Sequence, residues 1–281
     1  MLVHGVVERR GLMLLSGPIG TGKTTILNGM LSVLARRDSP KPLPTALVVN
    51  PRLNADELLE MLLLEFEVPG ANGSRPARLA ALQNLLFATF KSGGTCLLIV
   101  DEAHLLSTAV LEEIRLLMNT ESYQEKLLQV VLCGQPELAH LLNAPEVKPL
   151  RQRIAQRAAL RALSLSEMRV YIGERLRIAG FDQPLPFSCS ALDKIFEVTG
   201  GVPRLINIVC DTCLSLGSES KRSQIGEDMV EEAALRHELL DAHLSAPLAA
   251  THQPNPPVEL PPLQLLGNPL QTAKPTGQGE L

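Results

Sequence analysis

The chain has 281 residues, 45% of them hydrophobic and 20% charged, with a formal net charge of −4. That length holds one large domain, or one domain with a smaller companion, and the apolar share is enough for a core. The acidic balance argues against any global attraction to nucleic acid or anionic membrane and leaves only a local basic patch, while the absence of Trp and 3% aromatics argue against a base-stacking platform.

The opening residues, 1–11, carry no apolar run of the kind a secretory leader needs. No stretch approaches the roughly 18 apolar residues that cross a bilayer, so a soluble chain with no transmembrane segment is expected. Five short apolar runs follow, at 12–16, 46–50, 96–100, 128–133 and 159–163. Leu47 to Val49 and Leu97 to Val100 are continuous rather than alternating, as in strands buried on both faces of a parallel sheet. Between the runs, 23–37, 55–66, 76–91 and 109–120 repeat apolar residues at helical spacing, with a turn at 70–74. The alternation predicts an α/β layered domain over 1–163 with right-handed crossovers.

From Ser166 onward the strand signal stops. Helices are predicted from Ser166 to Gly180 and over 188–199, 202–217 and 225–240, giving a small helical lid domain at 164–243. Residues 244–281 are dense in proline and lack periodicity, which predicts a disordered tail. Of the five cysteines, Cys96 and Cys133 sit in strand-like runs, where buried reduced thiols are ordinary. Cys210 and Cys213 have CxxC spacing inside a helical pattern, with no second pair or nearby histidine to complete a zinc site. With Cys189 the count is odd, no disulfide framework emerges, and a cytoplasmic setting is expected.

The chemistry concentrates in two segments. Gly17-Pro18-Ile19-Gly20-Thr21-Gly22-Lys23-Thr24 fills the P-loop pattern GxxxxGK[ST], between a predicted strand and a helix that continues through Thr25. The glycines allow a tight wrap of inward-facing amides, Lys23 supplies a point charge for phosphate, and Thr24 offers a hydroxyl to Mg²⁺. The second segment ends the strand at 97–100 with Asp101 and Glu102, at the carboxyl edge where ligands of open α/β sheets bind. Asp101 is suited to hold Mg²⁺ beside Thr24, and Glu102 to orient or deprotonate an attacking water. Capping the next helix is their alternative use. The tetrapeptide Asp101-Glu102-Ala103-His104 is weak evidence by its letters alone, and His104 is expected at the surface or in a contact, outside the reaction. Gln135, after the fourth run, is placed to sense phosphate or position water, with helix capping as the competing role. Arg151, Arg153 and Arg157 read as a solvated face, a nucleic-acid contact or an arginine finger, with Arg153 preferred as the finger. Arg204 opens a lid helix and is placed to close over the nucleotide.

At these residues the chain resembles the AAA+ ATPases of the ExeA/GspA type and their relatives in exopolysaccharide and transposition loci. The likeness runs over about 5–240 and also takes in Val49 to Leu53, Glu112 to Asn119, Leu150 to Ile154 and Gly200 to Asn207. It implies that Lys23 and Thr24 are Walker A, Asp101 and Glu102 Walker B, Gln135 sensor 1 and Arg204 sensor 2, with Asn50 restraining the catalytic glutamate. It also implies a P-loop NTPase sheet of five parallel strands in the order 5-1-4-3-2, a helical lid, and Mg²⁺-dependent ATP hydrolysis coupled to assembly or remodelling of macromolecules. Two departures qualify it. Family members carry more residues before the first strand, framing the adenine, whereas ten precede Gly11 here. Secretion-type members also continue into a membrane span and a peptidoglycan-binding domain, neither of which is expected from this sequence. The expectation is therefore an ATP hydrolase forming a homo-oligomer with ATP and acting on a protein partner, in secretion or polysaccharide export. The alternative is a DNA-associated ATPase of transposition type, with DNA disfavoured as a partner by the acidic charge.

Overall fold

A computed structural model of the chain describes residues 1–36, 41–49, 51–122 and 125–239; Asn50 and the 244–281 tail lie outside the described residues. In chain order the α/β part runs α1 (Leu2–Val7), β1 (Leu12–Ser16), α2 (Lys23–Ala35), β2 (Thr45–Val48), α3 (Ala55–Glu65), α4 (Arg75–Lys91), β3 (Cys96–Val100) and α5 (Thr108–Leu117). It continues with β4 (Leu128–Gly134), α6 (Glu137–Leu141), α7 (Lys148–Arg151) and β5 (Ile154–Ala159). A two-residue antiparallel ribbon, Glu121–Ser122 with Glu125–Lys126, precedes β4.

The five strands pair in parallel in the order β2-β3-β4-β1-β5, which is the expected 5-1-4-3-2. Alternation along each strand divides the core in two. Leu12, Leu14, Leu98, Val100, Val130 and Leu132 face the layer of α3, α4 and α5, while Met13, Leu15, Leu97, Ile99, Val131 and Cys133 face α1 and α2. Because both faces are covered, β3 and β4 are buried throughout; the β3 sequence is an unbroken apolar run, and that of β4 is interrupted by the buried Gln129.

The fifth strand is not the run at 159–163. It lies earlier, at Ile154–Ala159, where half-buried and exposed residues alternate. An edge strand has a neighbour on one side only, here β1, and one of its faces is wet, so it lacks the continuous apolar signature. The run at 159–163 is instead the path out of the sheet, with the Leu160 N–H donating to the Ser16 carbonyl (2.7 Å) and the Leu163 N–H to the Gly201 carbonyl (2.8 Å).

Four helices follow: α8 (Leu165–Ile178), α9 (Cys189–Thr199), α10 (Pro203–Glu219) and α11 (Glu227–Arg236). They enclose their own core, including Met168, Ile172, Ile195, Ile206, Val209, Cys213 and Val230. Helix α8 is capped at Ser164 rather than Ser166. Its hydroxyl accepts from the Glu167 N–H, and the Glu167 carboxylate accepts from the Ser164 N–H at 2.8 Å, a reciprocal box. Cys210 and Cys213 pack inside this core, and burial pushes each thiol up to about 12, as befits inert groups. The sheet and these helices form one compact unit. Among the described residues no helix is long and apolar enough to cross a membrane.

Candidate functional site

The carboxyl ends of β1, β3 and β4 meet at one edge of the sheet. From β1 the chain turns through Gly17 to Gly22 into α2, and the Gly17 N–H donates to the Gly134 carbonyl at the tip of β4 (3.2 Å). The Thr21 hydroxyl donates to the Pro18 carbonyl at 2.8 Å and closes the loop. Lys23 is only 6% exposed, and its ammonium donates to the carbonyls of Gly17 (2.9 Å) and Pro18 (3.1 Å). Helix α2 begins at Gly22 with no side-chain cap and no acidic residue in its first turn. Its leading amides, at Lys23, Thr24 and Thr25, thus belong to a 13-residue helix whose own first turn carries no acidic residue. A buried cation beside such an end suits a bound polyanion.

Thr24 and Asp101, distant in sequence, are in contact. The Thr24 hydroxyl donates to Asp101 Oδ2 at 2.9 Å, and Asp101 Oδ1 accepts from the Glu102 N–H at the same distance. A hydroxyl and a mostly buried carboxylate side by side are oxygen donors of the kind Mg²⁺ takes. Below them Cys133 is buried, and desolvation together with the nearby Asp101 charge drives its thiol far upward, so it stays protonated.

Glu102 has left-handed backbone (φ 54, ψ 36), a conformation that costs a non-glycine residue about 1 kcal/mol or more. Its carboxylate accepts from the Gln135 amide nitrogen at 3.4 Å and lies 3.4 Å from His104 Nδ1, while the same Gln135 nitrogen is 3.1 Å from His104 Nε2. The His104 side chain is 12% exposed. It is a contact residue rather than a surface one, and its role in this group was not legible in the sequence.

Arg204 meets the loop through its main chain, its N–H donating to the Gly20 carbonyl at 3.1 Å, while its side chain is exposed. Arg153 lies elsewhere. Its guanidinium reaches the Arg115 carbonyl near the end of α5 (3.5 Å), beside the Arg115–Glu112 pair at 2.7 Å. The Arg115 hydrogen bonds hold the Glu112 carboxyl below its ordinary value, with Arg153 adding to the pull. Arg151 and Arg157 are exposed, whereas Arg161, further along the chain, is neutralised by two 2.8 Å bonds to Glu167. The position expected for Asn50 lies outside the described residues.

Residues 6–142 match the family model described as an AAA domain. The chain is 40% identical over 217 residues to general secretion pathway protein A of Aeromonas hydrophila, a match covering 76% of this chain and 38% of that protein. The chain therefore spans well under half the length of that relative. Among solved structures it is similar to the Aeropyrum pernix ORC2 protein in its ADPNP–ADP complexes, with 17% identity, a TM-score of 0.60, and coverage of 85% of this chain and 67% of that one. It is also similar to Drosophila ORC bound to DNA, with 16% identity, a TM-score of 0.61, and coverage of 84% and 58%.

The fold is a P-loop AAA+ fold, a parallel sheet followed by a helical region. Over 217 residues the chain is related by sequence to general secretion pathway protein A of Aeromonas hydrophila. One expectation is corrected: DNA does not stand as a disfavoured partner, because this fold is shared with an assembly solved on DNA. Net charge describes the average surface and says little about one face of it.

Proposed function

We propose that the chain is an AAA+ ATP hydrolase whose turnover drives work on DNA or on an assembly held there, with 1–163 binding the nucleotide and 164–243 acting as a lid. The observation that carries the hydrolase reading is the 2.9 Å contact of Thr24 with Asp101, which joins the phosphate loop to the two acids of β3. In this reading Lys23 and the loop and helix amides from Gly17, Pro18, Gly20, Thr21 and Gly22 to Thr25 grip the phosphates of ATP. Thr24 and Asp101 hold Mg²⁺, which when bound neutralises charge on the phosphate oxygens. Glu102 takes the proton of the attacking water, and Gln135 orients that water. Arg204 reports the phosphate to the lid, and Arg153, held on α5, is the group a second copy of the chain would receive.

The DNA half of the reading is supported by the fold's company and by the exposed Arg151 and Arg157. A secretion role is the second reading, favoured by the 40% identity to the Aeromonas protein. Phosphate release and duplex binding, measured with ATP across a salt series, test both halves. Turnover that vanishes in Lys23→Ala, with duplex affinity falling steeply as salt rises, is expected. Absence of hydrolysis overturns the enzyme, whereas hydrolysis without duplex binding at low salt overturns the DNA reading and favours secretion.

A further inference from the structure

Among the described residues, His104 is a chemically versatile side chain at the sheet edge that the mechanism above leaves unused. It sits in a short 3₁₀ turn, Ala103–Leu105, between the tip of β3 and α5. The turn is pressed against the end of β4: a Cβ at Gly134 would lie 3.2 Å from the His104 backbone nitrogen, so β4 ends in glycine where this turn comes close.

The imidazole touches both residues that the hydrolase reading places around the attacking water. Nδ1 lies 3.4 Å from Glu102 Oε2, and Nε2 lies 3.1 Å from the Gln135 amide nitrogen, which itself donates to Glu102 Oε2 at 3.4 Å. A second contact competes, since the Gln135 backbone N–H donates to Nδ1 at 3.4 Å, a bond that is given up when Nδ1 carries the proton. One nitrogen cannot both accept from that amide and donate to the carboxylate. With the proton on Nδ1, all three side-chain contacts are satisfied together: Nδ1–H donates to Glu102, Nε2 accepts one hydrogen of the Gln135 amide, and Glu102 accepts the other. With the proton on Nε2, the ring would turn an N–H toward the Gln135 N–H₂ and leave the carboxylate facing a lone pair. The charged acceptor favours the first arrangement.

We propose that His104, with a proton on Nδ1 facing the carboxylate, is a positioning residue that closes a ring with Glu102 and Gln135 and fixes the carboxylate of the base relative to the phosphate-sensing amide. Glu102 needs such a brace, because its left-handed backbone sets the direction of the side chain while 36% of that side chain remains exposed. The proposal rests on the hydrolase reading of Glu102, and its test separates the two.

Steady-state ATP turnover and the binding of a fluorescent ATP analogue are measured on the full chain and on His104→Ala, His104→Asn, Glu102→Gln and the Glu102→Gln/His104→Ala pair. A general base contributes about a hundred- to ten-thousandfold, so losing its brace is expected to lower kcat about tenfold or more in His104→Ala. Analogue affinity and KM stay within about twofold. His104→Asn, whose amide nitrogen can stand near the place of Nδ1, recovers part of the loss, and the double variant is no slower than Glu102→Gln alone. A His104→Ala protein with undiminished kcat overturns the proposal. So does one that loses affinity and kcat together with no recovery in Asn, since that is the mark of packing alone. If Glu102→Gln turns over like the parent, the reading of Glu102 has failed instead. The ring itself is then judged by ¹⁵N spectra of histidine-labelled protein, assigned by difference from His104→Ala: an Nδ1–H tautomer is expected, and an Nε2–H tautomer overturns it whatever the activity.

Discussion

Lys23 is an expensive residue to keep where it is. A primary ammonium at 6% exposure has given up most of its hydration, and the two loop carbonyls it bonds return only part of that. In the proposed function such a group is kept for the anion it would meet, which separates its contribution to binding from its contribution to folding. Lys23→Met removes the charge while keeping the length of the stem, and of the two carbonyls it releases, that of Pro18 belongs to an exposed residue while Gly17 is buried. The nucleotide-free variant is therefore expected to unfold within about 1 kcal/mol of the parent, or slightly above it, because the lost hydrogen bonds and the relieved desolvation nearly cancel. The stabilisation that saturating ATP gives the parent should vanish. Denaturant titrations with and without nucleotide check this. A large loss of stability without nucleotide would mean that the lysine is part of the scaffold.

Among the elements, those with a continuous periodic or apolar signal were legible in the sequence, and those whose signal depends on neighbours were not. Strands β1, β3 and β4 announce themselves because both faces are buried. Strand β5 does not, because its place at the sheet edge makes it alternate and lets Arg157 and Gln156 stand inside it. The phosphate loop was readable from spacing alone, and so was the partnership of Asp101 with Thr24, since the motif fixes both ends. The Glu102–His104–Gln135 group was not, because it depends on how closely the turn after β3 approaches β4. Helix α8 shows the same limit on a smaller scale. Arg161 follows Arg151, Arg153 and Arg157 in sequence, yet it is spent on Glu167, which also closes the cap at Ser164. The Arg161 hydrogen bonds first, and the Ser164 amide second, lower the Glu167 carboxyl from its ordinary 4.5 to about 2. A folded value below the unfolded one stabilises fully above about pH 4.5 and is lost as the pH falls toward about 2. The effect is modest because the side chain is 44% exposed. Glu167→Gln can still accept from the Ser164 amide, so the stability gap between parent and variant isolates the charge. That gap should be steady near neutrality and shrink between about pH 5 and about pH 2; a gap that does not change with pH would sink the assignment.

At the scale of the molecule, two separately packed cores are joined beside the phosphate loop. The junction uses main chain on both sides: the Leu163 N–H donates to the Gly201 carbonyl, and the Arg204 N–H donates to the Gly20 carbonyl. Main-chain bonds of this kind transmit position whatever the side chains do, so the helical region registers directly on the loop between β1 and α2. Gly201 makes the approach feasible. Its φ of +74 suits glycine, and a Cβ there would stand 2.0 Å from the Leu163 carbonyl oxygen. Gly180, at the end of α8, provides the control, with φ +88 and nothing within 4 Å of an added Cβ. Both alanine variants bear the left-handed backbone cost of about 1–2 kcal/mol, but only Gly201→Ala must also move the junction. It should therefore lose about 1 kcal/mol more than Gly180→Ala, roughly one displaced main-chain hydrogen bond. Its affinity for ATP should fall as well, because Arg204 and Gly20 can no longer keep their register, while Gly180→Ala binds as the parent does. Equal losses of stability in the two variants, with affinity unchanged in both, would show that the helical region is an appendage whose position the phosphate loop does not feel.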